Sequence, residues 1–202
     1  MHMPYLGFIH SIEVSSPLKE FFYNDYIVEI FGGLCLSIMG LFLIWFLRPK
    51  VKISNSISYI TKGEDVIYSI KVINKSYIFR LIDLHFELTM LKPVTSPNGM
   101  NLALKKVELK SDHVWYLSRR KPKWLAKNDY ATYAIIIKIK EGVNLLDEWK
   151  SDESVYLDFK VIAKNNFSGI TSINHQKYQH SSCIEEGVFE HGNTLNIRKS
   201  SN

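Results

Sequence analysis

The sequence predicts a mainly β protein, a β-sandwich of about eight or nine strands preceded by one transmembrane α-helix. Two observations support this prediction. Residues Ile30 to Leu47 form an 18-residue stretch without a charged side chain. After Val51 the pattern changes to short runs that alternate apolar and polar residues and are separated by Gly, Pro and Asn. Such runs are typical of the strands and turns of a sandwich.

The uncharged stretch is long enough to cross a bilayer. At a rise of about 1.5 Å per residue its length is roughly 27 Å, close to the thickness of the hydrocarbon layer. Trp45 lies near its end, at the level where amphipathic rings meet lipid headgroups. Buried helices of soluble domains rarely run this far with every face apolar. We therefore predict a transmembrane helix over residues 26–47.

The charges on either side of this helix predict its orientation. The tail, residues 1–25, carries one basic and three acidic side chains. Four basic residues follow the helix: Arg48, Lys50, Lys52 and Lys62. Because cytoplasmic segments carry the excess of Lys and Arg, the tail is expected outside the cell membrane and the C-terminal part in the cytoplasm. Residues 48–52 are then a basic juxtamembrane linker, and residues 53–199 the cytoplasmic sandwich.

The net charge and the cysteine content bear on which partners and cross-links to expect. The 202 residues carry a net charge of +5. This modest excess fits attraction to anionic lipid, and no nucleic-acid-binding motif accompanies it, so no nucleic-acid partner is expected. Cys35 lies in the apolar stretch and Cys183 far along the chain, so no disulfide framework is expected.

Three small residues share one face of the predicted membrane helix. Gly33, Ser37 and Gly40 are spaced by four and three positions. Small residues let two helix backbones approach closely, and in lipid this packing drives association. We therefore predict a homo-oligomer assembled through this face. Glu29 at the outer boundary either reaches into the headgroups or, in an oligomer, rings the mouth of a pore.

The predicted strands follow the helix at regular spacing. The stretch from Leu81 to Leu91 alternates most clearly, with Leu84, Phe86, Leu88 and Met90 on one face. Proline and Asn-Gly predict a loop over 93–99, and residues 144–149 form a short helical pattern. The remaining predicted strands are 52–60, 66–74, 102–109, 114–117, 131–140, 155–163, 169–178 and 188–197.

Two basic stretches are candidate binding surfaces. Arg48, Lys50 and Lys52 are predicted to contact anionic lipid, at about 1 kcal/mol for each basic residue near the leaflet. The second stretch joins five basic residues to one aromatic ring: Arg119, Arg120, Lys121, Lys123, Trp124 and Lys127. Arg offers forked donors to phosphate, so this stretch is a candidate ligand or partner surface. The alternative is a solvated basic loop.

No residue pattern predicts catalysis. The chain lacks the nucleophile-elbow, zinc-protease, P-loop and dinucleotide motifs. Four potential zinc ligands cluster late in the sequence: His175, His180, Cys183 and His191. Their spacing matches no usual zinc site, and five positions on a strand point His175 and His180 to opposite faces. We predict neither an enzyme nor a metal or cofactor site.

The order of features from Arg48 onward resembles the cytoplasmic domain of inward-rectifier potassium channels, an immunoglobulin-like β-sandwich attached to a membrane helix. The resemblance rests on Arg48-Pro49-Lys50, a strand ending in Asn74, the alternating strand 81–90 and the Pro97-Asn98-Gly99 loop. It implies an immunoglobulin-like fold beneath the membrane, a ring of subunits and phosphoinositide or other anionic-lipid contact at the linker. The chain has one span and no selectivity-filter motif, so the resemblance does not extend to a potassium pore.

Two functional hypotheses remain. In the first, a single-pass membrane protein senses a ligand or partner through its sandwich and signals to a self-associating span. One form of this hypothesis is a bacterial membrane effector, for example in antiviral defence. In the second, the chain is a non-signalling accessory subunit whose sandwich scaffolds a partner protein through its exposed edges.

Overall fold

The structure is a computed structural model that describes residues 25–63, 65–122, 131–151 and 154–199. The chain divides into two compact units, Met1–Phe46 and Leu47–Asn202. The first unit contains an apolar helix. The second unit is built mainly of strands and is called the β-domain below.

Helix α1, Asp25–Leu47, contains the uncharged stretch. Its side chains are exposed from Val28 to Phe46. A core helix of a soluble domain would be mostly buried, whereas the segment Ile27–Leu47 is not. By length and composition this segment is able to cross a membrane, as the sequence predicts.

The β-domain contains twelve strands, one short α-helix and one 3₁₀ turn, Ser181–Cys183, among its described residues. In chain order the strands and the α-helix are β1 (Val51–Ile53), β2 (Ile57–Lys62), β3 (Asp65–Asn74), β4 (Leu81–Ser96), β5 (Gly99–Val107), β6 (His113–Leu117), β7 (Ala134–Lys138), α2 (Leu145–Ser151), β8 (Tyr156–Asn165), β9 (Thr171–Tyr178), β10 (Ile184–Glu186), β11 (Val188–Phe189) and β12 (Ile197–Arg198).

The first sheet is organised around β3. Strands β1 and β2 pair antiparallel with β3, which also pairs with β7. Strand β10 pairs with β2 in parallel. From Tyr68 to Asn74 strand β3 is buried, including its β-branched residues, because it lies inside the sheet and faces the core.

The second sheet is organised around β4. Strands β5 and β6 pair with different parts of β4, and β8 pairs with β4 and β9. The alternation predicted from the sequence is present, since Leu84, Phe86, Leu88 and Met90 are buried. Between them, His85 is exposed and Glu87 half-buried, as alternation requires, whereas Thr89 is buried.

The two sheets form a β-sandwich, which confirms the predicted fold class. Residues of both sheets, such as Ile70 of β3 and Phe159 of β8, belong to one hydrophobic core. Tyr178 is fully buried in β9, and its hydroxyl donates to Ser54 O between β1 and β2 (2.8 Å). Burial raises the pKa of the Tyr178 hydroxyl above its usual value.

A bulge in β4 adjusts the phase of its apolar residues. Leu81 and Leu84 are both fully buried, although strict alternation would place residues three apart on opposite faces. The pairing of β4 with β8 shifts register between Ile82 and His85, and Asp83 has a φ of 52°. The extra residue thus keeps both leucines in the core, and its backbone lies in the left-handed region.

Two predicted boundaries were wrong. Strand β4 continues through the expected loop to Ser96 and forms a long hairpin with β5. Among the described strands, β4 beyond Leu91 is paired on one edge only, which is where proline is tolerated. The expected strand 188–197 is a small hairpin of β11 and β12 instead, with Gly192 in the left-handed region at φ 81°.

Candidate functional site

Four segments of the β-domain meet where the chain enters it at Leu47. These segments are 47–54, 73–82, 117–122 and 164–171, and together they are called the linker end below. Backbone hydrogen bonds join them. Lys75 N donates to Lys50 O (2.8 Å), Arg120 N to Ser76 O (2.8 Å) and Asn166 N to Arg80 O (3.3 Å).

Two fully buried asparagines organise the loops of the linker end. Asn74 Nδ2 donates to Phe79 O (3.0 Å) and Ser118 O (2.9 Å), and its Oδ1 accepts from Ser76 N (2.9 Å). This side chain ties the loop after β3 to the loop after β6. An asparagine that bonds the backbone two residues on forms an Asx turn.

Asn165 likewise joins two segments through its side chain, at the turn between β8 and β9. Its Nδ2 donates to Leu47 O (2.6 Å), while its Oδ1 accepts from Phe167 N (2.8 Å) and Ser168 N (3.3 Å). Ser168 Oγ also donates to Leu47 O (3.3 Å), and Ser172 Oγ donates to Pro49 O (3.3 Å). The first residues of the β-domain are therefore bonded to the β8–β9 turn.

The linker end is strongly basic. Its four segments contain nine basic residues and no Asp or Glu. The basic residues are Arg48, Lys50, Lys52, Lys75, Arg80, Arg119, Arg120, Lys121 and Lys164. Like charges concentrated on one surface raise the local concentration of anions.

Exposed apolar side chains lie among these charges. Tyr77, Ile78 and Phe167 are 52%, 58% and 76% exposed. The Phe167 ring stacks on Phe79 with centroids 5.8 Å apart, and the Arg120 guanidinium lies 5.0 Å from the centroid of Tyr77. Arg120 Nε also donates to Asn193 Oδ1 (3.1 Å), which positions its side chain. A surface that mixes aromatic and basic groups suits the interfacial region of a bilayer.

The two basic stretches singled out from the sequence belong to one surface. Arg48, Lys50 and Lys52 lie in the first segment of the linker end. Residues 119–121 lie in the third segment, which the Ser76–Arg120 hydrogen bond joins to the second. Lys123, Trp124 and Lys127 lie outside the described residues.

The predicted self-association face lies on α1. Gly33, Ser37 and Gly40 are exposed, and the space beside each glycine is open. Ser37 Oγ donates to Gly33 O (2.8 Å), so its hydroxyl is satisfied within the helix. The Ser37 hydroxyl therefore adds no unsatisfied hydrogen-bond donor to this face of the helix.

Two of the four potential zinc ligands late in the sequence, His175 and His180, have separate partners. His175 Nδ1 lies 3.5 Å from Asp158 Oδ2. His180 Nδ1 accepts from Ser182 N (3.1 Å) and so caps the 3₁₀ turn Ser181–Cys183. Among the described residues, His, Asp, Glu and Cys side chains converge elsewhere, at Asp83, His85 and His113.

Sequence reasoning missed Tyr77, Ile78 and Phe167 as surface residues. Tyr77-Ile78-Phe79 lies between two strands and could have been noted as an apolar loop, since a loop over the surface is usually polar. This apolar loop lies near Phe167, almost 90 positions later in the chain, because Leu81 pairs with Asn165. That pairing has no local signal in the sequence.

The opposite end of the sandwich is built differently. It comprises residues 91–110 and 138–144 and is called the far end below. Lys140 Nζ lies 2.5 Å from Glu108 Oε2, and Lys110 Nζ lies 3.4 Å from Glu141 Oε1. These side chains border an open cleft with Phe86, Leu88 and Val107 at its base. At this end Glu108 and Glu141 therefore each balance one lysine, and the six lysines outnumber the two acids.

Comparisons with known proteins assign no family. Neither a protein-family model nor a curated protein matches the chain. Among solved structures, the sporulation control protein Spo0M of Bacillus subtilis is similar over 68% of this chain, with 12% sequence identity and a TM-score of 0.37. The match covers 49% of Spo0M, so this chain spans about half the length of that protein.

Proposed function

We propose that this chain is a non-enzymatic, single-pass membrane protein whose β-domain senses a ligand or partner at the surface of the inner leaflet and signals to a self-associating span. The observation that carries the proposal is the composition of the linker end. Its four segments contain nine basic residues, three exposed apolar side chains and no Asp or Glu.

The span supports the membrane part of the proposal. An apolar helix whose side chains are exposed from Val28 to Phe46 would be costly in water, because each buried CH₂ group is worth about 0.8 kcal/mol. Hydrocarbon removes this cost and leaves the backbone hydrogen bonds of the helix intact. Leu47 is the last residue of the span, so the linker end starts at the membrane surface in this proposal.

The linker end supports contact with anionic lipid. Each Lys or Arg near an anionic leaflet contributes about 1 kcal/mol, and the effect fades within a Debye length of about 8 Å. The aromatic rings of Tyr77 and Phe167 suit the headgroup region. The excess of positive charge on this side of the span also favours a cytoplasmic β-domain.

Self-association is the signalling part of the proposal. The Gly33, Ser37 and Gly40 face lets two helices approach closely. The resemblance to inward-rectifier cytoplasmic domains adds the idea of a ring of sandwiches beneath the membrane. Rotation of the sandwiches against one another would then change the packing of the spans.

A second candidate function is favoured by the far end. Strand β5 is an edge strand, and Met100, Leu102 and Leu104 are 78%, 51% and 69% exposed on one of its faces. Edge strands with exposed apolar residues bind other chains by strand addition. This feature supports an accessory subunit that scaffolds a partner protein.

Hydrogen exchange of the reconstituted protein tests the lipid contact. The full chain is placed in nanodiscs of phosphatidylcholine, alone or mixed with phosphatidylserine. Amides 75–80 and 166–168 should exchange about tenfold more slowly in the anionic discs, since two contacts of about 1 kcal/mol exceed the 1.4 kcal/mol of a tenfold change.

Charge variants make this test specific. Replacing Lys75, Arg80 and Arg119 by Gln should abolish the difference between the two lipids. Replacing Lys92, Lys106 and Lys138 by Gln removes the same charge elsewhere and should preserve it. Equal exchange of the unmodified chain in both lipids would contradict the proposed contact.

The mass of the full chain in mild detergent separates the two functions. A homo-oligomer that Gly33→Leu/Gly40→Leu disperses supports the signalling protein. Gly32→Leu is the matched control, because Gly32 also has open space beside it but lies on another face. A monomer in every case would overturn self-association and leave the accessory subunit.

A further inference from the structure

A bulge on the outer face of the β-domain brings together two histidines and one aspartate. Asp83 Oδ1 lies 3.1 Å from His85 Nε2 and 3.1 Å from His113 Nε2. The three ligand atoms all lie within 4.8 Å of one another. The two imidazole rings face each other with centroids 4.5 Å apart.

The backbone holds these three residues in place. His85 of β4 is paired directly with His113 of β6, so the two side chains leave the sheet on the same face. Asp83 occupies the bulge, and its left-handed φ of 52° is unusual for a residue other than glycine. Bulges re-aim side chains, and here the carboxylate is directed at both imidazoles.

The separations fit the coordination sphere of a transition-metal ion. Metal–ligand distances of about 2.0–2.1 Å place two ligands of a tetrahedral ion roughly 3.3 Å apart. Two of the three separations, at 3.1 Å, are already close to this value. His85 is exposed, so a rotation of its side chain is enough to bring the two imidazole nitrogens to the same spacing.

Neighbouring groups favour the arrangement. Trp115 packs edge-on against His113, with centroids 4.9 Å apart, and restricts the orientation of that ring. One carboxylate and two imidazoles form a set of ligands that Zn²⁺ and related ions prefer.

We propose that Asp83, His85 and His113 bind one divalent transition-metal ion, Zn²⁺ by the chemistry of the ligands. The ion ties β6 to the bulge of β4. Three protein ligands leave at least one position open for water or for a donor atom of another molecule. The site lies on the solvent face of the second sheet, so such a donor has free access.

Cobalt binding to the full-length, untagged protein in detergent tests this inference. Tetrahedral Co²⁺ absorbs visible light and is displaced by Zn²⁺, so both affinities follow from one titration. We expect one Co²⁺ per chain, and His85→Ala or Asp83→Asn to weaken binding by about tenfold to hundredfold. Zn²⁺ should raise the melting temperature of the unmodified chain but not of these variants.

The matched control is His175→Ala/His180→Ala, which removes two histidines with separate partners and should leave the affinity unchanged. Asp83→Asn preserves shape, and circular dichroism establishes that each variant is folded. The proposal is overturned if the unmodified chain binds no Co²⁺, or if the folded Asp83→Asn and His85→Ala variants bind as tightly as it does. Equal losses in the control variant would overturn it as well.

Discussion

The two ends of the β-domain differ in how their basic residues are paired with acids. At the far end lysines lie beside acids, as in the pairs Lys140–Glu108 and Lys110–Glu141. The linker end has more basic residues, and its four segments supply no acid. Strand β4 connects the two ends, beginning at Leu81 in the linker end and reaching Ser96 in the far end.

This difference indicates which anions offset the basic residues at each end. A cluster of like charges destabilises the fold that carries it unless anions are present. At the far end Glu108 and Glu141 supply two of these anions within the chain. In the chain, the linker end begins at Leu47, the last residue of a segment able to cross a membrane, and anionic headgroups are the abundant anions at a membrane surface. Stability and lipid contact should therefore respond differently to changes at the two ends.

The largest effect is expected from an asparagine of the linker end. Asn165→Leu leaves Leu47 O, Phe167 N and Ser168 N without the hydrogen bonds that Asn165 makes to them. Each unsatisfied buried group costs about 1–3 kcal/mol, so the free energy of unfolding should fall by about 2–4 kcal/mol. Chemical denaturation in detergent, followed by circular dichroism, measures this loss.

Asn144 of the far end is the matched control. It is exposed, accepts from Tyr68 Oη (3.1 Å) and hydrogen-bonds Asp147. Asn144→Ala should cost about 1 kcal/mol, because water replaces the exposed partners and one helix cap is lost. Equal losses at Asn165 and Asn144 would show that the buried asparagine does not organise the linker end.

Tyr178 should make stability sensitive to alkaline pH. The pKa of its hydroxyl is raised by burial, so above pH 10 the unfolded chain loses a proton that the folded chain retains. The stabilisation is therefore complete below pH 10 and declines as the pH rises above it. The free energy of unfolding at pH 8 and pH 10.5 checks this decline.

Tyr178→Phe is the variant that isolates this residue. At pH 8 it should lower the free energy of unfolding by about 1–2 kcal/mol, because Ser54 O loses its buried donor. It should also reduce the decline between the two pH values. A decline of unchanged size in the variant would assign the alkaline sensitivity to other groups.

The smallest effects are expected from single surface charges. Lys140→Ala should lower the free energy of unfolding only slightly, and less again in high salt, because the Lys140–Glu108 pair is exposed. Lys75→Ala should leave stability in detergent unchanged or raise it by a few tenths of a kcal/mol, since like charges surround Lys75. If Lys75→Ala lowered the free energy of unfolding more than Lys140→Ala, the proposed difference between the two ends would be contradicted.

Patterns with a short period were readable from the sequence. The uncharged run predicted α1, and the alternation of Leu84, Phe86, Leu88 and Met90 predicted the core face of β4, because each depends on neighbours within one element. The bulge was missed although Leu81 lies out of phase with Leu84. A single phase change is as compatible with the end of a strand as with an extra residue inside it.

The linker end depends on contacts between distant segments. Lys50, Lys75 and Arg120 share a surface because β1 and β7 both pair with β3, and because β6 pairs with β4. His85 and His113 meet for a similar reason. Such strand pairings depend on the packing of the whole sandwich. The sequence composition therefore identified the two basic stretches but could not predict that they lie on one surface.

The most direct test of the central claim compares the two ends in one bilayer. A spin label is placed at Asn166→Cys or at Asn98→Cys, in a chain carrying Cys35→Ala and Cys183→Ala. The chain is reconstituted into anionic nanodiscs. The account predicts that the label at 166 collides more with oxygen dissolved in lipid than with a water-soluble nickel complex, and that the label at 98 shows the reverse. Two equally aqueous labels would contradict the placement of the linker end on the membrane.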